Sequence, residues 1–248
     1  MQQFTVGDIH EAIAETRPEA ECLVFRDRTL TWSEVTNRTR RLANFLNDRG
    51  YGCHTERANL AQQESGQDHL AIYLHNGNEY LECMLGAFKG RVAPFNVNYR
   101  YVAEELIYLL NDSSASIIVY HSIFAPILES ILPQVPLITM MLQVDDESGH
   151  DLLPGAMWYE DALLSSRADL PAPANPDDLY ILYTGGTTGM PKGVFSLLYD
   201  DGYTIGAGLA FCFSPNDDAK AGVSHAKLMH AATDFAAKQL CCLLALST

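Results

Sequence analysis

The residues best suited to chemistry lie together: Tyr180-Ile181-Leu182-Tyr183-Thr184-Gly185-Gly186-Thr187-Thr188-Gly189-Met190-Pro191-Lys192-Gly193-Val194. A short apolar run enters a stretch of glycines and hydroxyls, one lysine closes it, and a second apolar run follows. Glycine admits positive φ and lets backbone N–H groups approach a ligand with no Cβ in the way. Thr184, Thr187 and Thr188 add hydroxyl donors, and Lys192 adds one positive charge. Donors and a cation without a carboxylate suit an anion, most of all a polyphosphate. The spacing differs from a Walker A loop, which needs Gly-Lys followed by Ser or Thr. Here Pro191 precedes Lys192 and Gly193 follows it. A plain Gly-rich hairpin turn would need two or three of these residues, not the whole run.

The run resembles, nearly letter for letter, the first signature of the adenylate-forming (AMP-binding) superfamily of acyl-CoA synthetases, peptide-synthetase adenylation domains and luciferases. That pattern is Tyr-Thr-(Ser/Gly)-Gly-Thr-Thr-Gly-x-Pro-Lys-Gly, and Gly185 is the form common among fatty acyl-CoA ligases. The resemblance implies a loop between two strands that grips the β- and γ-phosphates of ATP. Thr184, Gly185, Gly186, Thr187, Thr188, Gly189 and Lys192 are then the phosphate-binding residues, Lys192 is the catalytic charge, and Thr184 helps coordinate Mg2+. The implied reaction activates a carboxylic, fatty-type acid to an acyl-adenylate and passes it to coenzyme A as a thioester. Adenylation joins a poor nucleophile to a highly charged phosphate chain, so catalysis is mostly neutralisation and positioning.

Other stretches carry the same resemblance. Thr31-Trp32-Ser33-Glu34 matches an opening that recurs near the N-terminus of the superfamily. His75-Asn76-Gly77-Asn78-Glu79-Tyr80-Leu81-Glu82 and Phe95-Asn96-Val97-Asn98-Tyr99-Arg100-Tyr101 resemble an acyl-CoA ligase subgroup more than peptide-synthetase domains. Their chemistry asks for no substrate, and they read as packing and turn residues. Leu228-Met229-His230-Ala231-Ala232-Thr233-Asp234-Phe235-Ala236-Ala237 resembles the ligases' Leu-Met-His-Gly-x-x-Gln-Trp-Ala-Ala. It implies that His230 lines the acyl pocket, although Ala231 replaces Gly and Asp234-Phe235 replaces Gln-Trp.

The elements that must position this chemistry alternate. A short helix is expected within residues 1–20, with Ile9, Ile13 and Ala14 on one side. A strand at 22–25 turns at Asp27-Arg28 into an extended return over 29–32. Thr31 and Glu34 form a capping box for the next helix, whose apolar stripe is Val35, Leu42, Phe45 and Leu46 and which ends at Gly50. Residues 53–68 are polar and aperiodic and read as a surface loop. Strands follow at 69–74, 92–97, 117–120 and 137–142. Helices lie between them, with Leu81, Met84, Leu85 and Phe88 on one, Leu106, Leu109 and Leu110 on the next, then short helices at 126–132 and 158–166. After 194 a strand continues over 195–199, and a helical pattern runs from 224 to 246. Alternation in βα-sized units predicts an α/β fold, mostly parallel sheets flanked by helices on both faces.

The 248 residues suit one large domain or two smaller ones, and 48% apolar content is globular. Asp+Glu of 31 against Lys+Arg of 16 gives −15. That charge disfavours nucleic acid and anionic membranes, so an ATP site must make its own local positive field. Cys22, Cys53, Cys83, Cys212, Cys241 and Cys242 form no CxxC pair and no zinc-like spacing, which predicts inert thiols in a reducing cytoplasm. No signal peptide or membrane span is expected, the longest apolar run being 240–246.

The resemblance divides the chain into a first α/β subdomain, 1–170, and the start of a second, 171–248, carrying the phosphate loop beyond a Pro171, Pro173, Pro176 connector. The family's later motifs are not found before Thr248: a Thr-Glu magnesium motif, an aromatic-Gly-x-Thr-Glu adenine run, a ribose-binding Asp, and a C-terminal lid with the adenylation lysine. The expectation is a truncated, inactive portion of a ligase whose partner is a small-molecule carboxylic acid. The alternatives are a non-catalytic remnant acting by association through an apolar C-terminal edge, and another adenylating enzyme such as a peptide-synthetase domain.

Overall fold

The computed structural model describes residues 4–61, 64–184 and 192–197, with Thr184, Lys192, Ser196 and Leu197 described through their backbone. The helices are α1 (Val6–Thr16), α2 (Trp32–Asp48), α3 (Asn78–Lys89), α4 (Ala103–Asp112), α5 (Ala125–Ile131) and α6 (Tyr159–Leu164). The strands are β1 (Glu21–Phe25), β2 (Arg28–Thr31), β3 (His69–Tyr73), β4 (Ala93–Asn96), β5 (Ile117–His121), β6 (Met140–Val144), β7 (Met157–Trp158), β8 (Leu179–Thr184) and β9 (Lys192–Leu197).

β1 and β2 form an antiparallel hairpin, and the other strands form a 7-stranded sheet in the order β7-β6-β5-β3-β4-β8-β9. Every pair in that sheet is parallel except β8 with β9. The chain steps from β3 to β4, crosses back to lay β5 on the other side of β3, and later returns to add β8 beside β4. This is the expected mostly parallel α/β arrangement.

Burial on both faces explains the apolar strands. All five residues of β3 and of β5 are buried, as expected where helices cover both sides of a parallel sheet. Ala71, Tyr73, Ile118 and Tyr120 pack with Leu106, Leu109, Leu110 and Leu128 of α4 and α5. Leu70, Ile72, Ile117 and Val119 pack with Leu42, Phe45, Cys83, Ala87 and Tyr159 of α2, α3 and α6. That second layer is tied by Arg38, which donates to both oxygens of the fully buried Glu82 at 2.7 and 2.9 Å and also reaches Glu160. The Tyr159 hydroxyl donates to Glu82 Oε2 at 3.1 Å.

The predicted capping box forms: Glu34 N–H donates to Thr31 Oγ1 at 3.3 Å and Thr31 N–H to Glu34 Oε2 at 2.7 Å. Thr5 and Asp8 make a second box at the start of α1.

Four sequence expectations shift. The turn between β1 and β2 falls at Arg26 and Asp27, because Arg26 takes a left-handed φ of 55° and Arg28 is already paired with Phe25. Trp32 is the first residue of α2, since the Thr31 cap starts the helix there. β6 begins at Met140, not 137; its register is set by Ile117↔Met140, and Leu137 stays 50% exposed. On α1, Gly7 and His10 are buried beside Ile13 and Ala14, while Ile9 is half-buried. His10 enters because Lys89 Nζ donates to its Nδ1 at 3.1 Å, and to Thr39 Oγ1 at 2.9 Å, while pairing with Glu11 at 2.5 Å.

Candidate functional site: the β8–β9 hairpin

The candidate phosphate loop connects two antiparallel strands. Their register runs from Leu179↔Leu197 to Thr184↔Lys192. Thr184 and Lys192, 8 positions apart by number, therefore face each other across the hairpin, at the strand ends that residues 185–191 join in sequence. Gly185, Gly186, Thr187, Thr188 and Gly189 lie outside the described residues, as does His230. The structure thus brings the two ends of the predicted site together through their backbones.

β8 is attached to the parallel sheet at one register position, Phe95↔Ile181, whereas β3–β5 and β5–β6 run through four and five. Side chains make up for this thin pairing. At its entrance, Leu179 N–H donates to Gln67 Oε1 at 2.7 Å. Arg91 grips Asp178 through Nε at 2.9 Å and Nη2 at 2.8 Å, and its other edge reaches both oxygens of Glu56 at 2.8 and 2.9 Å. Asn175 closes the ring, donating from its backbone to Asp178 and from its side chain to Glu56. The carboxylates of Glu56 and Asp178 hold the Arg91 guanidinium charged, and Arg91 in turn holds the Glu56 carboxyl below its ordinary range.

The middle of β8 packs by aromatic contact. Asn96 Nδ2 donates to the Tyr180 hydroxyl at 3.3 Å, and the Tyr180 ring meets Phe88 edge-on at 6.0 Å. Burial pushes the Tyr180 phenol up, so it stays neutral. Leu182 and Val194, paired across the hairpin on one face, are 40% and 49% exposed, and Phe195, paired with Ile181 on the other face, is 38% exposed.

These contacts change the reading of residues 53–68. The stretch is pinned by a Cys53↔Gln67 bridge, and Asp68 gathers Gly52 N–H, His54 Nε2 and Ser116 Oγ at 3.0, 2.6 and 3.1 Å. Glu56 and Gln67 then brace the strand that enters the candidate phosphate loop. Sequence reasoning missed Gln67, Arg91, Asn175 and Asp178. One signal was available: Asn175-Pro176-Asp177-Asp178 is a turn sequence, and Asp177 N–H donates to Asn175 Oδ1 at 3.0 Å.

The two ligase-like runs at 75–82 and 95–101 lie at the carboxyl ends of β3 and β4. The His75 ring packs on Tyr99 and Phe124 at 4.8 and 4.9 Å, and the His75 backbone N–H donates to His121 Nδ1 at 2.9 Å. A cleft of about 400 Å³ lies elsewhere, lined by Asn44, Tyr51, Cys53, His54, Arg91 and Pro171 among others. It contains no residue of the hairpin.

Among the described residues, no group of three His, Cys, Asp or Glu could hold a metal ion, and Cys22, Cys53 and Cys83 are free thiols. No helix among them is long and apolar enough to cross a membrane.

The sequence model of the AMP-binding enzyme family matches residues 10–197, which include both hairpin strands and everything between them. The chain belongs to the AMP-binding enzyme family. It is 52% identical over 198 residues to the medium-chain acyl-CoA ligase Mig of Mycobacterium avium, covering 79% of this chain and 36% of that protein. It is 33% identical over 210 residues to a 3-oxocholest-4-en-26-oate–CoA ligase of Rhodococcus rhodochrous, covering 84% of this chain and 36% of that one. The fold matches the crystal structure of the anthranilate CoA ligase AuaEII in complex with anthranoyl-AMP with a TM-score of 0.68 at 22% identity, over 79% of this chain and 35% of that chain. The chain therefore spans about a third of the length of these AMP-binding relatives.

Proposed function

We propose that this chain supplies the polyphosphate-gripping part of an acid–CoA ligase that activates a fatty-type carboxylic acid with ATP. The observation that carries this reading is the hairpin register, which sets Thr184 opposite Lys192, the residues that flank a Gly- and Thr-rich segment in sequence, in a member of the AMP-binding family. The donor set fits the group: backbone amides at Gly185, Gly186 and Gly189, hydroxyls at Thr187 and Thr188, and the Lys192 ammonium, with no carboxylate among residues 184–192.

In this reading Lys192 and the loop donors bind the β- and γ-phosphates and stabilise the charge that gathers on the departing pyrophosphate. Thr184 offers an oxygen to Mg2+, which when bound neutralises part of the phosphate charge. The carboxylate attacks the α-phosphorus, the bond to the pyrophosphate oxygen breaks, and acyl-adenylate forms. Coenzyme A thiolate then displaces AMP to give the thioester. The likeness to the ligase named for medium-chain acids favours that substrate class. The 1–170 and 171–248 subdomain division and the His230 acyl-pocket role belong to the same proposal.

The test is Mg-ATP binding by calorimetry, followed by acid-dependent ATP–pyrophosphate exchange, on the 248-residue chain and on Lys192→Ala. A charge-assisted bond to phosphate contributes about 1.5–3 kcal/mol, so Lys192→Ala should weaken Mg-ATP at least about tenfold. Equal affinity in the two proteins rejects the reading.

A further inference from the structure

Lys192 is followed by Gly193, and Gly193 stands opposite Tyr183 in the hairpin register. A Cβ built at Gly193 would lie 3.0 Å from Tyr183 Cζ and 3.2 Å from its hydroxyl oxygen. The Tyr183 ring therefore lies across the neighbouring strand and covers the glycine, a cross-strand arrangement that pins register where a side chain is missing. The ring also lies 5.7 Å, centroid to centroid, from that of Phe95 of β4, tilted by 52°. The hydroxyl reaches beyond the sheet and donates to Asp112 Oδ2 at 2.8 Å, at the last residue of α4. Tyr183 thus links β9, β4 and α4 from a position one residue before Thr184. Burial, then the Asp112 carboxylate, pushes its phenol up, so the proton stays on the hydroxyl that donates.

From this geometry we infer that Tyr183 is a positioning residue. Its ring on Gly193 and its hydroxyl on Asp112 hold the strand ends Thr184 and Lys192 in the register that polyphosphate binding requires. The inference rests on the phosphate-loop reading above and extends it to side chains that touch no nucleotide. Two facts make the clamp necessary. β8 has one register position on β4, and β9 is the outermost strand of the sheet among the described residues. A tyrosine tied to a helix end opposes any twisting of so thinly paired a strand away from β4.

The test uses the full 248-residue chain, with Tyr183→Phe, Asp112→Ala, Asp112→Asn and Lys192→Ala as variants. Hydrogen exchange of the amides in β8 and β9 and calorimetric affinity for Mg-ATP are read side by side, with exchange in β3 and β5 as the reference for global stability. Tyr183→Phe and Asp112→Ala should speed hairpin exchange and weaken Mg-ATP, each about three- to tenfold, as for loss of one hydrogen bond. β3 and β5 should be unchanged. Asp112→Asn keeps an acceptor for the hydroxyl and should restore both readouts. Unchanged hairpin exchange in Tyr183→Phe overturns the inference. So does Mg-ATP affinity that falls in Lys192→Ala but not in Tyr183→Phe, and that outcome leaves the phosphate-loop reading standing. Equal affinity in the parent chain and Lys192→Ala overturns that reading, and the positioning role with it.

Discussion

Arg91 holds both carboxylate oxygens of Asp178, one residue before the strand that leads into the Gly- and Thr-rich segment. The Asp178 side chain is 3% exposed and that of Arg91 is 21% exposed. Removing one partner of a buried pair leaves an uncompensated charge, which costs more than the pair itself contributes. Arg91→Ala should therefore destabilise the fold by about 2–3 kcal/mol, somewhat under the range for fully buried pairs because the guanidinium is partly solvated. Urea unfolding followed by circular dichroism measures this. A loss under about 0.5 kcal/mol would place the pair with ordinary surface salt bridges.

The α2–α3 contact makes a sharper demand. A Cβ at Gly86 would sit 2.7 Å from Leu42 Cδ2 and 2.9 Å from Leu42 Cβ. Because the overlap includes the root of the Leu42 side chain, a rotamer change cannot relieve it and the helices must part. Helix propensity favours Ala over Gly by up to about 1 kcal/mol, but overpacking in a full core costs about 1–3 kcal/mol. Gly86→Ala should lower the melting temperature, as a thermal scan would show. An increase would mean that the helices separate without cost.

Acid should weaken the protein in a defined window. His10, His69 and His121 all lie below their ordinary value of 6.5, burial being the largest cause for each. The bonding agrees for His10, whose Nδ1 accepts from Lys89, whereas the 2.5 Å bond of His69 Nδ1 to the Ser113 carbonyl opposes its shift and burial outweighs it. Below about pH 6.5 the unfolded chain binds protons that the fold refuses, so stability present above that value is lost as pH falls. Glu82 acts in the opposite sense, since burial raises it above 4.5 and outweighs Arg38, and it offsets part of that loss. Lys89, lowered to about 8 by burial from 10.5, adds stability as pH rises between those values. Urea midpoints at about pH 5.5 should fall below those at about pH 7.5; equal midpoints would show that these histidines protonate freely in the fold.

Much of this was legible in the chain. Strands buried on both faces must be apolar throughout, so β3, β4 and β5 announce themselves, and the Thr31–Glu34 cap is local enough to read from spacing. Run against this, β6 was placed early because Leu137 is as apolar as the residues that pair, and only the Ile117↔Met140 register separates them. The α1 pattern of Ile9, Ile13 and Ala14 gave no sign of a buried His10, whose partner Lys89 lies 79 positions away.

The candidate site divides in the same way. Residue types and order alone made residues 184–192 a candidate anion site, because anion recognition draws on amides, hydroxyls and a cation. Tertiary structure decided what holds them. Arg91 and Asp178 are 87 positions apart, and Tyr183 and Asp112 are 71 apart. A hydrogen bond between distant segments depends on how helices and strands stack, and no local pattern encodes that distance.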